Sequence, residues 1–213
     1  IPRNKHLWLT GKPSEWYEDF TPPKFFDNSK YFFLYLHMYT NEKVYWISSS
    51  EEEIKLLRSM NLPVIKYKSL KGIYLVLRAK YFFHHYGIKQ INPVLQMGAV
   101  HLDFWHGTPL KKIRYDVVPK DNKKRNFIVR FLDKKTIEYV SSTSEKLSKD
   151  ILTRAFAVPM DQMLNFGYPR TDILKLNKKE TYDFVKVYSP ELISYLDECN
   201  KFKKVLLYMP TWR

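Results

Sequence analysis

The sequence predicts an α/β protein built on a doubly wound parallel sheet, and three observations predict it. Short apolar runs alternate with longer runs of helical spacing through the first half of the chain. Helix starts are marked by Ser, Asp or Asn, and several strand ends by Gly or Pro. The chain has 213 residues, 45% of them hydrophobic, so it can bury a core without disulfides. Cys199 is its single cysteine, which fits a reducing compartment. No apolar run reaches the roughly 18–20 residues that cross a bilayer.

The elements follow in order. "HLWLTG" (6–11) reads as a strand ending at glycine. "DNSKYFFLYLHMYT" (27–40) opens with the capping types Asp27, Asn28 and Ser29 and continues at helical spacing. "KVYWISS" (43–49) is a strand, and "SEEEIKLLRSM" (50–60) a helix with Ser50 as N-cap and glutamates in its first turn. "VIKY" (64–67) is a strand and "SLKGIYLVLRAK" (69–80) a helix. "YFFHH" (81–85) and "AVHLDFWH" (99–106) are strands. This βαβ rhythm implies a Rossmann-like sheet with helices on both faces. Beyond it, 120–135 is basic and partly helical, and 136–144 is a strand. Residues 144–156 form a helix capped by Ser144, 162–167 a short strand, and 171–176 a helical turn. Residues 189–200 are a helix with Pro190 at its first position. "KKVLLYMP" (203–210) reads as a strand opening a new βα unit. With the absence of an initiator Met, that suggests a chain entered midway and a second domain cut off.

The formal net charge is +14, and aromatics are 16% of the chain. Such a charge calls for anionic partners: nucleic acid, an anionic membrane face, or a phosphate-bearing substrate. A nucleic-acid-binding module is one reading, although no recognisable module pattern supports it. The stretch 66–89 mixes Lys and Arg with bulky apolar residues and suits an anionic bilayer surface.

"FWHGTPLKKIRYD" (104–116) carries the chemistry. Strand alternation puts Val100, Leu102 and Phe104 on one face and His101, Asp103 and Trp105 on the other. Gly107 ends the strand, Thr108 is an N-cap type, and Pro109 fits a first helical position. His106 is therefore expected at the carboxyl end of a strand, just before a helix N-terminus, where open α/β sheets bind ligands and where anions are welcome. Lys111, Lys112 and Arg114 add charge. A neutral histidine there is suited to take a proton from an attacking hydroxyl. Two further strand-end loops, at Gly167–Pro169–Arg170 and Pro210–Thr211–Arg213, place arginines that suit phosphate. A metal site from His101, Asp103 and His106 is disfavoured, because strand parity turns His106 away from the other two. Adjacent His84 and His85 likewise point to opposite faces.

"WHGTPLKKI" (105–113), "GYPRTDIL" (167–174) and "LYMPTWR" (207–213) resemble, in order and spacing, the CDP-glycerol glycerophosphotransferase family. That family includes teichoic acid primases and polymerases and related capsule enzymes. "DNSKYFFLYL" (27–36), "VYWIS" (44–48) and "LRAKYFF" (77–83) are similar to its segments too, so the resemblance spans nearly the whole chain. It implies a GT-B architecture, with residues 1–202 as the N-terminal, acceptor-side domain. Residues 203–213 would be the first strand of a largely missing nucleotide-binding domain. It implies transfer of glycerol phosphate from CDP-glycerol to a hydroxyl of a lipid-linked or polymeric acceptor, with release of CMP. His106 is the implied general base. Gly107, Thr108, Lys111, Lys112, Arg170 and Arg213 are the implied phosphate-binding set. CDP-glycerol is a donor substrate; no tightly bound cofactor, metal or nucleic acid is expected. The implied location is peripheral, on the cytoplasmic face of the cell membrane. CDP-ribitol is the alternative donor. One departure stands out: the family's Gly-x-Asp after the first motif is replaced here by Arg114, Tyr115 and Asp116.

Overall fold

The computed structural model describes residues 2–11, 25–85, 91–92, 94–117 and 137–208. The expected basic segment 120–135 and Arg213 lie outside them. The chain divides into two compact units, Ile1–Thr171 and Asp172–Arg213.

Among the described residues the first unit holds seven parallel strands. They are β1 (Asn4–Thr10), β2 (Lys43–Ser48), β3 (Val64–Lys66), β4 (Ala79–His84), β5 (Val100–Asp103), β6 (Ile137–Ser141) and β7 (Met163–Leu164). The spatial order is β3-β2-β1-β4-β5-β6-β7. Strand order therefore reverses between β1 and β4, the point at which doubly wound sheets open a ligand crevice at their carboxyl edge. The expected doubly wound fold is the observed one.

Helices α1 (Asp27–Tyr39) and α2 (Glu51–Ser59) link β1 to β2 and β2 to β3, and α3 (Leu70–Arg78) crosses back to β4. Between β6 and β7 a helical run consists of α4 (Glu145–Leu147), a π turn (Ser148–Leu152) and α5 (Thr153–Phe156). The expected caps form. Glu53 N donates to Ser50 Oγ at 3.3 Å, and Leu147 N donates to Ser144 Oγ at 3.2 Å. On one sheet face α1 covers aromatic residues of the strands and of the turn after β5: Phe32 meets Phe83 and Phe104 edge-on, and Phe33 meets Trp46. Phe33 and Phe83 are fully buried and contribute about 1.5–3 kcal/mol each. On the other face, Leu75 and Val76 of α3 pack on Leu7, Leu9 and Phe82. Leu152, Ala155 and Phe156 pack on Val140.

Gly11 closes β1 at φ +121°, and a Cβ there would lie 2.0 Å from the Ile47 carbonyl oxygen. Backbone, not a movable side chain, fills the space. Gly11→Ala is expected to cost about 3 kcal/mol or more, since backbone strain and overpacking add. The urea midpoint followed by tryptophan fluorescence reads this. A midpoint equal to that of the wild type would contradict it.

The second unit contains α6 (Lys178–Tyr188) and α7 (Ile193–Asn200), the latter entered through a 3-10 turn at Pro190–Leu192. The expected helix at 189–200 thus begins with the turn. Helix α6 was not among the expectations. The expected strand at 203–210 is not formed over Lys203–Tyr208, which run as exposed coil. A strand requires a neighbour to pair with, and none of the described residues pairs with this run. No described helix is long and apolar enough to cross a membrane.

Candidate active site

Strand β5 is shorter than expected: it ends at Asp103, not His106. The reason is local. Asp103 Oδ1 accepts from the Trp105 amide at 2.7 Å, an Asx turn that takes the amide out of the ladder. Trp105 then adopts φ +53°. The next residue, His106, stands exposed beyond the carboxyl end of β5, its ring stacked on Trp105 at 4.2 Å. That is the rim position expected for it.

The helix expected to start at Thr108 is not formed. Residues 108–113 are irregular, and only a 3-10 turn follows at Arg114–Asp116. Lys111, Lys112 and Arg114 would have sat in the first turns, where the helix dipole disfavours cations. Leu110, 89% exposed, offers no apolar anchor to offset nucleation. Arg114 at φ +46° also departs from helical backbone. The segment behind His106 is therefore a loop and not a helix end.

Gly107 takes φ +142°. Burial pushes the Tyr168 phenol up, and the neighbouring Thr108 side chain opposes this. Lys111 and Lys112 are exposed on the loop. Arg170 comes to the same place from the turn Pro169–Lys175: its Nη2 donates to the His106 carbonyl at 3.0 Å, and its Nη1 to Asp27 Oδ1 at 2.9 Å. The structure thus brings His106, Gly107, Thr108 and Arg170 together.

Arg114, expected as another surface cation, turns inward. It lies 3.5 Å from Asp103 Oδ2 and 3.6 Å from Glu138 Oε1, over the Phe156 ring at 4.4 Å. The pairings Phe82–His101, His84–Asp103 and His101–Glu138 put these side chains on one sheet face. His84 Nδ1 lies 3.7 Å from Asp103 Oδ2. Burial works against the charged form of Asp103. His84, Arg114 and the Trp105 amide outweigh it, so its carboxyl is held below the usual range. Glu138 goes the other way: burial, with Asp103 beside it, pushes it up. Burial also keeps His101 well below the usual imidazole value. Among the described residues no three His, Cys, Asp or Glu are grouped to hold a metal ion.

His85 occupies the opposite face from His84, as parity requires. Its Nδ1 lies 2.7 Å from Ser29 Oγ at the start of α1, and burial lowers it to about 4. It stays neutral at physiological pH. For His106, burial against its neighbours is the largest influence and lowers the proton affinity; Asp27 and Asp103 oppose this. A neutral, solvent-reachable imidazole results.

Asp27, Asn28, Ser29, His85 and Asp103 are site-forming residues that sequence reasoning missed. The first three read only as cap types. Yet the α1 N-cap position is Phe26, with no side-chain cap, and Asp27 Oδ1 accepts from the Asn28 amide at 2.8 Å.

Fold and site together define a doubly wound α/β protein with a histidine presented at the sheet's carboxyl rim beside basic, glycine-containing loops. The chain belongs to the CDP-Glycerol:Poly(glycerophosphate) glycerophosphotransferase family, whose pattern it matches over residues 6–213. It is 29% identical over 213 residues to a teichoic acid glycerol-phosphate transferase of Staphylococcus aureus, covering 96% of this chain and 51% of that protein. It is 33% identical over 179 residues to a teichoic acid poly(glycerol phosphate) polymerase of Bacillus subtilis, covering 80% of this chain and 22% of that protein. Among solved structures, the wall teichoic acid polymerase TagF superposes with a TM-score of 0.61 at 18% identity, over 97% of this chain and 47% of that one. The chain spans about half or less of the length of these relatives. Family membership disfavours the nucleic-acid reading.

Proposed function

We propose that the full-length protein transfers glycerol phosphate from CDP-glycerol to a hydroxyl of a lipid-linked or polymeric acceptor, in teichoic acid or capsule synthesis, and that this chain supplies the acceptor side. His106 Nε2 or Nδ1 takes the acceptor proton. The freed oxygen attacks the glycerol-bearing phosphorus in line, the bond to the CMP oxygen breaks, and CMP leaves. The charge on the transferred phosphoryl oxygens needs fixed donors. The Gly107 and Thr108 amides, Lys111 and Lys112 are the candidates on the loop, with Arg170 next to Gly107; Arg213 is a further candidate. Residues 1–202 form the acceptor-side domain in this reading, and 203–213 begin a nucleotide-binding one. The chemistry calls for no tightly bound cofactor.

The observation that carries this reading is the placement of His106: exposed at the carboxyl rim of β5, neutral, and next to a loop that carries Gly107, Thr108, Lys111 and Lys112. A second reading keeps the chemistry and changes the donor to CDP-ribitol, because the same residues would serve both polyol phosphates. The membrane part of the proposal rests on α3, which exposes Leu70, Ile73 and Tyr74 beside Lys71. Such a surface suits peripheral binding to an anionic bilayer on its cytoplasmic face.

CMP release by the full-length protein, with CDP-glycerol or CDP-ribitol and a lipid-linked acceptor, tests the proposal. Release from CDP-glycerol at a kcat/KM at least about tenfold above that for CDP-ribitol is expected. The reverse preference would establish the second reading, and release from neither would overturn both.

A further inference from the structure

Strained backbone surrounds His106. Trp105, a bulky residue, sits at φ +53°, and Gly107 at φ +142°. Both neighbours of the histidine therefore occupy conformations that L side chains avoid. Asp27, at the start of α1, also sits in the left-handed region, at φ +57°. Strain of this kind persists only where surrounding groups over-determine it, and it concentrates at functional sites.

Those surrounding groups can be named. Asn28 Nδ2 donates to the Trp105 carbonyl at 2.8 Å, while Asp103 holds the Trp105 amide. Arg170 Nη2 donates to the His106 carbonyl, and its Nη1 to Asp27. The Arg170 amide donates to Asn28 Oδ1 at 3.2 Å. Two consecutive residues of α1 thus grip both Arg170 and the histidine loop. A Cβ on Gly107 would come within 3.1 Å of Arg170 Nη2, so glycine leaves the guanidinium its place. The Asp27 side chain is 8% exposed. A buried carboxylate next to a phosphate site repels its ligand unless its charge is spent elsewhere, and here it is spent on Arg170. One N–H of each terminal nitrogen of Arg170 is thus committed to the protein, which fixes the guanidinium against the histidine loop.

We propose that Asp27, Asn28 and Arg170 are positioning residues: they hold the Trp105–Gly107 main chain so that the His106 imidazole is presented at the rim. Arg170 serves there and not as a ligand of the donor phosphate. The inference rests on the proposed function for its kinetic consequence but not for its geometry.

Steady-state kinetics of the full-length protein with CDP-glycerol test it. Asp27→Ala and Arg170→Ala are each expected to lower kcat by about tenfold or more, with KM for CDP-glycerol changed less than about threefold. The double variant falls no further than the weaker single variant, because one unit is broken once. Asp27→Asn keeps an acceptor for Arg170 and tolerates the left-handed backbone, so it restores most of the rate. An Arg170→Ala variant that raises KM about tenfold with kcat intact would instead make Arg170 a phosphate ligand and overturn the proposal. Additive losses in the double variant would overturn it too.

A second readout separates this proposal from the assigned reaction. The Trp105 ring lies against His106, so its ring current shifts the His106 ring-proton resonances, which are assigned by their loss in His106→Ala. At a fixed alkaline pH those resonances are expected to move towards random-coil values in Asp27→Ala and Arg170→Ala. Unmoved resonances overturn the positioning role. If wild-type protein releases no CMP from CDP-glycerol, the proposed function has failed, and the resonances alone decide the positioning.

Discussion

His106→Ala in the full-length protein is expected to lower CMP release from CDP-glycerol by about 10²–10⁴-fold, the usual worth of a positioned general base. The loss should fall on kcat and leave KM for CDP-glycerol nearly unchanged, because in the proposed mechanism the imidazole meets the acceptor hydroxyl and not the nucleotide. Stability should hardly move. The residue is exposed at the rim, and among its contacts is the stack on Trp105. A pH dependence accompanies the prediction. Only the neutral ring accepts a proton, and burial lowers its proton affinity below the ordinary 6.5. The acid limb of kcat/KM therefore lies below pH 6.5, with activity lost as pH falls through it and retained above. An alanine variant with the wild-type rate, or a profile with no acid limb below pH 6.5, would remove the base assignment.

Asp103→Ala is expected to be the most damaging substitution to the fold around the site. The carboxylate is wholly buried. One oxygen accepts the Trp105 amide, and the other faces His84 and Arg114. Removing it strands a partly buried guanidinium and releases the Asx turn that ends β5. Breaking one partner of a buried ion pair costs about 3–5 kcal/mol. Asp103→Asn keeps an oxygen for the Trp105 amide and loses only the charge, so it should fall between the alanine variant and wild type. Urea denaturation of the variants, read at constant m-value, checks the ranking. An Asp103→Ala variant within about 1 kcal/mol of wild type would show that the cluster does not hold the turn.

The sheet was legible because its signals are local. Apolar runs of strand length, Ser50 and Ser144 as caps, and the turn glycines each act within a few residues, and the structure honours them. The α6 helix was legible too: Asn177 and Glu180 form a reciprocal capping box, spelled N-K-K-E, which sequence reasoning passed over. The helix expected at Thr108 failed for a reason also written in the sequence, since its first turns would have held three cations against the dipole. What could not be read is the company His106 keeps. Asn28 reaches Trp105 across 77 residues, and Asp27 reaches Arg170 across 143. One chain, read along its length, carries no mark of such pairings. Arg114 shows the same limit: a cation in a basic run reads as surface charge until the buried carboxylates that claim it are placed in space.

In the proposed mechanism the strained turn after β5 presents the His106 imidazole to the acceptor hydroxyl and donor phosphorus at the sheet rim. A crystal structure of the full-length protein with CDP-glycerol and an acceptor analogue measures this directly. An acceptor oxygen is expected within about 3.2 Å of a His106 ring nitrogen and poised about 3.5 Å from the glycerol-bearing phosphorus, with the Gly107–Thr108 amides on the phosphoryl oxygens. A donor phosphorus bound at another edge of the sheet, about 10 Å or more from that ring, lies outside the reach of a near-attack geometry and would contradict the account.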